Sequence, residues 1–295
     1  MTDAPPPENA PGSGSPAVPT LSAGARTPGR MVADPWSSLR VHTPSNVAIG
    51  RVGHSLPTSE VLRFGLAHAQ ARDAVHTALD VDRLSADLTA AGWANLNVHS
   101  AADTRHTYLC RPDLGRRLSA CSTERLAALA GQAERPPDLC LVIGDGLSSV
   151  AVQAHAVPLL GALRARLRGS VIDSEDPRAI SPVVIATQAR VALADEIAQR
   201  LRARMVVMLI GERPGLSSPD SLGVYATWAP CVGRTDAERN CISNIRAEGL
   251  SYPAAAFRLG WLIEQAFERR VTGVELKDES GRVALNLPTQ VPAGG

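Results

Sequence analysis

The stretch Met205-Val-Val-Met-Leu-Ile-Gly-Glu-Arg-Pro-Gly215 decides the fold, together with the second apolar run Leu222-Gly-Val-Tyr-Ala-Thr-Trp228 that follows it. Its first six residues form a continuous apolar run, which predicts one strand buried on both faces. A polar loop begins at Gly211, and a second polar cluster extends from Arg234 to Asn244. Open α/β sheets bind ligands in loops at the carboxyl ends of buried strands. The pattern therefore indicates a ligand or subunit contact, with a charged surface loop as the alternative.

Composition limits the class of protein. The chain has 295 residues, of which 44% are hydrophobic and 3% aromatic, and a formal net charge of +1. This near-neutral charge gives no reason to expect a nucleic acid or an anionic membrane as a partner. No apolar stretch approaches the roughly 20 residues that span a bilayer, and no secretion signal begins the chain. The five scattered cysteines include no C-x-x-C pair, so we expect reduced thiols and a cytoplasmic protein.

From Ser122 onward, strand and helix patterns alternate. Further strands are predicted at Asp138 to Ile143 and at Pro182 to Ala186. Helices are predicted from Ser122 to Gln132, Ser148 to Arg168, Leu193 to Ala203 and Tyr252 to Arg270. This alternation predicts parallel strands with right-handed crossovers, hence an α/β, Rossmann-like, mostly parallel sheet with flanking helices.

Single residues predict where these helices begin, bend and end. Ser122, Ser148 and Ser251 are candidate N-caps. Pro158 predicts a kink or a division of its helix, because proline lacks the N–H that continues the hydrogen-bond ladder. Gly273 is expected to end the last helix.

The N-terminal part of the sequence predicts two helices and short strands without the regular alternation seen after Ser122. A helix is predicted from Thr58 or Ser59 to about Ala78, with Leu62, Leu66, Ala69 and His76 on one face, and a second from Asp82 to Ala91, ended by Gly92. Short strands are expected at Leu96 to Val98 and at Tyr108 to Cys110. The predicted domains are a Pro/Ala/Gly-rich disordered tail at 1–34, a helical region at 35–93, an α/β domain at 94–280 and a C-terminal tail at 281–295.

Common catalytic motifs are absent from the sequence. Gly144-Asp-Gly146 lacks the third glycine of a dinucleotide fingerprint, since Ser149 stands in its place. Zinc-protease, phosphate-loop and nucleophile-elbow motifs are missing, as is the D-x-H-x-x-G motif that supplies a cobalt ligand in one class of cobalamin proteins. Three arginines between Arg111 and Arg117 suit an anion, acidic residues of another subunit or plain solvent exposure. We predict no catalytic residue and no metal ligand in this chain.

Several sequence blocks together resemble the small (light) subunit of ethanolamine ammonia-lyase, over roughly Asp34 to Asp278. They are Ser55-Leu-Pro-Thr58, Leu66-Ala-His-Ala-Gln-Ala-Arg-Asp-Ala-Val75, Arg111-Pro-Asp-Leu-Gly-Arg-Arg117, Asp145-Gly-Leu-Ser-Ser149, Ile210-Gly-Glu-Arg-Pro-Gly215 and Asp236-Ala-Glu-Arg-Asn-Cys-Ile-Ser-Asn244. Each block alone is modest evidence, but their combination in this order is specific.

The resemblance implies a function. Enzymes of that family use adenosylcobalamin to convert ethanolamine to acetaldehyde and ammonia, by radical chemistry that begins with homolysis of the cobalt–carbon bond. The large subunit holds the substrate in a barrel, and the small subunit covers part of the cobalamin. A hetero-oligomer of both subunits, a chain inactive alone and a cytoplasmic location are implied, with packaging in a bacterial microcompartment left open.

The resemblance also implies three cobalamin contacts, at Val191, Glu212 and Cys241. From the residues alone, Val191 is expected to be a packing residue at a strand end, Glu212 a surface acid paired with Arg213, and Cys241 a buried thiol. The chain departs from the family pattern at several positions: Ala189 and Ala194 replace common glycines, Cys231 replaces a common arginine, and Thr43-Pro-Ser-Asn46 lacks the usual Ala-Arg. The alternative function is a non-catalytic α/β adaptor that binds a nucleotide-like ligand or a protein partner.

Overall fold

A computed structural model describes residues 31–32, 34–43, 45–170, 172, 176 and 179–282. The chain divides into two compact units, Met1–Val61 and Leu62–Gly295. Most of the two predicted tails, residues 1–30 and 33 and residues 283–295, lies outside the described part. The boundaries of the four domains inferred from the sequence stay predictions.

The described part of the first unit contains little regular structure. Strands β1 (Met31–Val32) and β2 (Arg51–Val52) pair antiparallel, so the end of the predicted tail forms a two-residue strand. Arg40 donates from Nε to the Val47 carbonyl at 2.8 Å and from both terminal nitrogens to Glu60 Oε1 at 3.0 Å. This arginine therefore ties the segment around residue 47 to Glu60.

Seven helices and six more strands follow in the described chain. The helices are α1 (Thr58–His76), α2 (Val81–Ala90), α3 (Arg105–Cys110), α4 (Ala120–Gln132), α5 (Ser149–Leu167), α6 (Leu193–Leu201) and α7 (Tyr252–Arg269). The strands are β3 (Asn95–His99), β4 (Leu139–Gly144), β5 (Val183–Thr187), β6 (Met205–Gly211), β7 (Leu222–Trp228) and β8 (Asn240–Ile245). No helix in the described ranges is long and apolar enough to cross a membrane.

The six strands form one sheet in the order β3-β5-β4-β6-β7-β8. Strands β3 to β6 are parallel, and β7 and β8 are antiparallel to their neighbours. Apolar residues of α2, α5 and α7 pack on one face of the sheet, and those of α4 and α6 on the other. All seven residues of β6 are buried, as its continuous apolar run predicts. The predicted α/β, Rossmann-like, mostly parallel fold is confirmed.

Two predictions about the segment before the sheet core are wrong. Tyr108 to Cys110 is not a strand but the end of α3, which Thr104 caps by accepting a hydrogen bond from the Thr107 N–H at 3.1 Å. Helix α4 begins at Ala120 and is capped by Ser119, which accepts from the Ser122 N–H, so Ser122 is not the cap. In both places the residue that satisfies the free N–H groups sets the start of the helix.

Nearer the C-terminus, Pro158 does not divide its helix, and the predicted end of the last helix at Gly273 is wrong. Helix α5 runs undivided through Pro158. The carbonyl that loses its donor there, that of Ala154, belongs to an exposed residue, so water can replace the missing hydrogen bond. Helix α7 ends at Arg269 and is followed by Arg270 in the left-handed conformation, whereas Gly273 begins a short 3-10 turn. Ser251 precedes α7 but makes no capping hydrogen bond through its side chain.

The apolar face predicted for α1 is solvent-exposed. Leu62 and Leu66 expose 68% and 59% of their surface, and Phe64 exposes 49%. The one residue buried in this helix is Ala74. The apolar residues of α1 therefore have helical spacing, but the described chain leaves their side chains exposed to solvent.

Candidate functional site

The usual ligand crevice of a doubly wound sheet is filled by backbone. Strand order reverses between β4 and β6, so a ligand would be expected between their carboxyl ends. The Leu147 N–H instead donates to the Gly211 carbonyl at 3.0 Å. A Cβ atom on Gly146, whose φ is +56°, would lie 2.2 Å from that carbonyl oxygen, and a Cβ on Gly211 would lie 2.0 Å from the Ser148 carbonyl oxygen. Only glycine permits this approach, which leaves no room for a nucleotide between the two turns.

Asp145 uses its carboxylate to hold the loop after β5. Its Oδ1 accepts from the Ala189 N–H at 2.9 Å and its Oδ2 from the Gln188 N–H at 3.0 Å, with Arg105 Nη1 at 3.4 Å. Burial raises the pKa of Asp145, and the two backbone donors and Arg105 oppose that rise. This carboxylate therefore positions the loop that leads to Val191.

The same loop is held from its other side by Tyr108 and Arg190. The Tyr108 hydroxyl donates to the Ala189 carbonyl at 3.1 Å, and the Arg190 guanidinium lies 4.3 Å from the centre of the tyrosine ring. Burial raises the pKa of Tyr108 to about 12, so the phenol stays protonated and can donate. Ala189, at which the family resemblance implies a glycine, is fully buried and has no positive φ. Alanine therefore does not strain the backbone before Arg190 and Val191.

Beyond α6, part of one sheet face is open. Side chains alternate between the two faces of a strand. Val224 and Ala226 of β7 and Ile242 of β8 are buried in the core under α7. On the opposite face, Tyr225 is half-buried and Cys241 is exposed. We call this surface the β7–β8 face; Tyr225, Cys241 and Ser243 are its accessible residues, and Gly223 and Thr227 are buried beneath it.

Glu212 lies at one edge of the β7–β8 face, directly after β6. Its N–H donates to the Ser221 carbonyl at 2.9 Å, and its Oε2 accepts from the Ser221 hydroxyl and from the Asn244 N–H at 3.3 Å. No donor of the described chain reaches Oε1, and Arg213 makes no ion pair with the carboxylate there. A Cβ on Gly223 would lie 2.9 Å from Oε1, so glycine at this position is what allows the carboxylate to lie over β7.

Cys241 lies on the same face as Glu212, with Tyr225 between them. Tyr225 and Cys241 are directly paired across β7 and β8, and Cys241 Sγ lies 3.3 Å from Ser243 Oγ. The pKa of Tyr225 is raised, mainly by burial and further by Cys241 and Glu212. The thiol is exposed rather than buried, contrary to the interpretation from the sequence alone. Tyr225 itself was missed, because the run from Leu222 to Trp228 gave no sign that one face is open.

Val191 approaches the same region from α6. It is half-buried just before that helix and packs, like Tyr225, at the margin of the core under α4 and α6. It also lines a cleft of about 620 Å³ between the start of α6 and residues 232–239. The arginines that line this cleft are Arg116, Arg117, Arg190, Arg234 and Arg239. The structure thus places Glu212 and Cys241 on one surface and Val191 in the cleft on the α6 side of the sheet.

A buried ion pair links α6 to the start of β8. Arg239 Nη1 and Nη2 each lie 2.7 Å from an oxygen of Asp195, and Nη1 also donates to the Thr227 hydroxyl at 3.1 Å. The side chains of Arg239 and Asp195 are 2% and 1% exposed. Burial raises the pKa of Asp195, and Arg239 opposes the rise. Because a bidentate pair has defined geometry, it fixes the helix that follows Val191 relative to the strand that carries Cys241.

The arrangement suits ligand binding rather than covalent chemistry. An open carboxylate oxygen, a phenol, a thiol and a hydroxyl offer hydrogen-bond acceptors and donors on a flat surface. Within the described ranges, no group of three or more His, Cys, Asp or Glu side chains is placed to hold a metal ion. All five cysteines are free.

Comparison with known proteins identifies the family. Residues 33–277 match the family model described as ethanolamine ammonia-lyase light chain. The chain is 50% identical over 263 residues to an ethanolamine ammonia-lyase small subunit of Xanthomonas campestris pv. campestris, covering 89% of this chain and 94% of the relative. It is 53% identical over 253 residues to the same subunit of Pseudomonas aeruginosa, covering 86% and 90%. For the subunit of Bradyrhizobium diazoefficiens, identity is 54% over 259 residues, covering 88% and 96%. The chain therefore belongs to the ethanolamine ammonia-lyase light-chain family.

Proposed function

We propose that this chain is the small subunit of an adenosylcobalamin-dependent ethanolamine ammonia-lyase, a carbon–nitrogen lyase that releases acetaldehyde and ammonia from ethanolamine. In this proposal the chain helps to bind the cobalamin at the interface with the large subunit, through Val191, Glu212 and Cys241. The observation that carries it is the open β7–β8 face, where Glu212 and Cys241 lie on one accessible surface.

The residues on this face fit the periphery of a cobalamin. A corrin ring carries amide side chains, which both donate and accept hydrogen bonds. Glu212 Oε1 has no donor within the described residues and can accept from an amide N–H, while Oε2 stays bound to Ser221 and Asn244. Gly223 has no side chain, so the Glu212 carboxylate can lie over β7 and present Oε1 to a ligand. Backbone groups near Val191 and Cys241 can supply further hydrogen bonds.

In this proposal, the residues of this chain bind and orient the cofactor and take no part in the chemical step. Adenosylcobalamin, when bound, supplies the radical that begins the reaction on ethanolamine. Asp145 and the Arg239–Asp195 pair hold the Val191 loop and the β8 strand in place, so the contacts exist before the ligand arrives. The β7–β8 face covers one side of the cofactor and excludes water from it.

The large subunit provides the substrate site in this proposal, and both subunits form a higher hetero-oligomer. The exposed apolar residues Leu62, Phe64 and Leu66 of α1 suit such a subunit contact, because apolar surface of this kind is stabilised by burial. The assembly is proposed to act in the cytoplasm, with packaging in a microcompartment left open.

The test is reconstitution with the large subunit. The ultraviolet–visible spectrum of added cobalamin should change on binding to the co-expressed complex, and acetaldehyde should form from ethanolamine. The isolated small chain should release none. Turnover by the isolated chain would refute the division of labour, and a complex that leaves the cobalamin spectrum unchanged would favour the adaptor function instead.

A further inference from the structure

The cleft beside Val191 is lined by five arginines and two aspartates of the described chain, so its net charge is positive. We call the cleft lined by Arg116, Arg117, Arg190, Arg234 and Arg239 the arginine cleft. The side chains of Arg116 and Arg117 are exposed, and the charge of Arg117 acts on Asp113, which itself is hydrogen-bonded to Arg111. Arg190 stacks on Tyr108, which is neutral, and its buried Nε has no hydrogen-bond partner among the described residues.

The acids near the arginine cleft are mostly engaged elsewhere. Asp195 pairs with Arg239, and Glu238 pairs with Arg234 and caps its own turn through Thr235. Asp113 is bound by Arg111 at 2.8 and 2.9 Å. Of the acids that line the cleft, Asp236 is 96% exposed and lies 3.5 Å from Arg239. The remaining positive charge therefore comes from Arg116, Arg117 and Arg190.

The residues directly before α6, Val191 and Ala192, also line the arginine cleft. The helix begins at Leu193 with Ala192 as its N-cap, which has no side chain able to accept a hydrogen bond. Asp195 and Glu196 in the first turn compensate the helix dipole, so the positive charge of the cleft comes from its arginines and not from the helix start. Guanidinium groups recognise phosphate through paired hydrogen bonds.

We propose that the arginine cleft binds the phosphodiester in the nucleotide tail of the cobalamin. This inference rests on the proposed function, because Val191 belongs both to the cleft and to the predicted corrin contacts. A cobalamin has one phosphodiester, which links the corrin side chain to the ribose of its lower base. Arg116 and Arg117 supply its hydrogen bonds, and Arg190 supplies charge behind them.

The experiment uses the complex of this chain with its large subunit and two probes. Cyanocobalamin contains the phosphodiester, whereas dicyanocobinamide has the same corrin without the nucleotide tail. The double variant Arg116→Gln/Arg117→Gln should bind cyanocobalamin roughly three- to tenfold more weakly, the size expected for two partly exposed charge contacts. Its affinity for dicyanocobinamide should equal that of the unmodified complex. Arg258→Gln, at an exposed position of α7, is the matched control and should change neither affinity.

A second variant separates charge from shape. Arg116→Lys/Arg117→Lys keeps both positive charges and should bind cyanocobalamin within about twofold of the unmodified complex. If the lysine variant is as weak as the glutamine variant, the arginines stack on the lower base and the phosphate assignment is wrong. Equal weakening for both probes, or none for cyanocobalamin, also overturns it.

Subunit association gives the remaining control. Dissociation of the ligand-free glutamine variant during sedimentation would mean that the arginines contact acidic residues of the large subunit, which contradicts the proposal. If the unmodified complex binds neither probe, the proposed function itself fails, and that result is distinct from a variant that merely binds normally.

Discussion

Glu212 gives the sharpest test of the β7–β8 face. Its Oε2 is held by Ser221 and by the Asn244 N–H, whereas Oε1 is open beside Gly223. Replacement of Glu212 by alanine removes the proposed acceptor for a corrin amide. A hydrogen bond to a charged group contributes roughly 1.5–3 kcal/mol, and about 1.4 kcal/mol corresponds to a tenfold change in affinity. The alanine variant of the complex should bind cobalamin on the order of ten- to a hundredfold more weakly. Because Glu212 is half-buried, we expect the lower end of that range.

Glu212→Gln should lose less affinity. The amide oxygen can replace Oε2 towards Ser221 and Asn244, which leaves the amide nitrogen at the position of Oε1. That nitrogen cannot accept from a corrin amide N–H, but it can donate to a corrin amide carbonyl after the ligand amide turns. The glutamine variant therefore loses the negative charge at position 212 but keeps one hydrogen bond to the cofactor.

Spectroscopic titration of the assembled complex with cobalamin measures all three affinities. Glu124→Ala, at an exposed acid of α4, is the matched control and should leave binding unchanged. Equal affinities for the unmodified, glutamine and alanine complexes would refute the reasoning. In that case Glu212 serves only to hold Ser221 and Asn244, and its assignment to the cofactor must be withdrawn.

Three further predictions concern the support of the site and the ends of the chain. Gly223→Ala places a Cβ 2.9 Å from Glu212 Oε1 and should weaken cobalamin binding several-fold in the same titration. The far-ultraviolet circular dichroism spectrum should stay unchanged. Normal cobalamin binding by this variant would show that the carboxylate is not part of the site. Asp195→Ala leaves the Arg239 guanidinium buried without its partner and should lower the free energy of unfolding by about 3–5 kcal/mol in urea denaturation. The double variant Asp195→Leu/Arg239→Met should recover most of this loss. An unchanged denaturation midpoint for the alanine variant would contradict the role of the pair. A truncation that starts at Asp34 removes strand β1, which is only two residues long, and should still assemble and turn over normally, because the composition before Asp34 cannot build a core. Failure to assemble would count against this.

Elements with a local signal were predicted correctly from the sequence. The strand at Met205 shows itself as a continuous apolar run, and all its residues are buried. Ser148 is a cap in the sequence and in the structure, where it accepts from the Ala151 N–H at 3.2 Å. Local signals fail when two residues compete for one role, as with Ser119 and Ser122 at the start of α4.

The strand β8 lies in a polar cluster where no strand was predicted, and it is the clearest omission. Its residues, Asn240 to Ile245, alternate imperfectly, and β7 and β8 shift register between Leu222 and Val224. An edge strand with one open face carries polar side chains that look like loop residues. The open face is also why Cys241 is exposed rather than buried.

The sequence by itself determined the fold class, the family and the polar loop that contains Glu212, because these depend on periodicity and on motifs of adjacent residues. Only the tertiary structure decided where a ligand has room. The contact of Gly146 with Gly211 closes the usual crevice, and the pairing of Tyr225 with Cys241 builds an open face beyond it. The Asp195–Arg239 pair joins residues 44 positions apart in the chain. Contacts at such separations depend on how the strands pair and the helices pack, and no local pattern in the sequence encodes them.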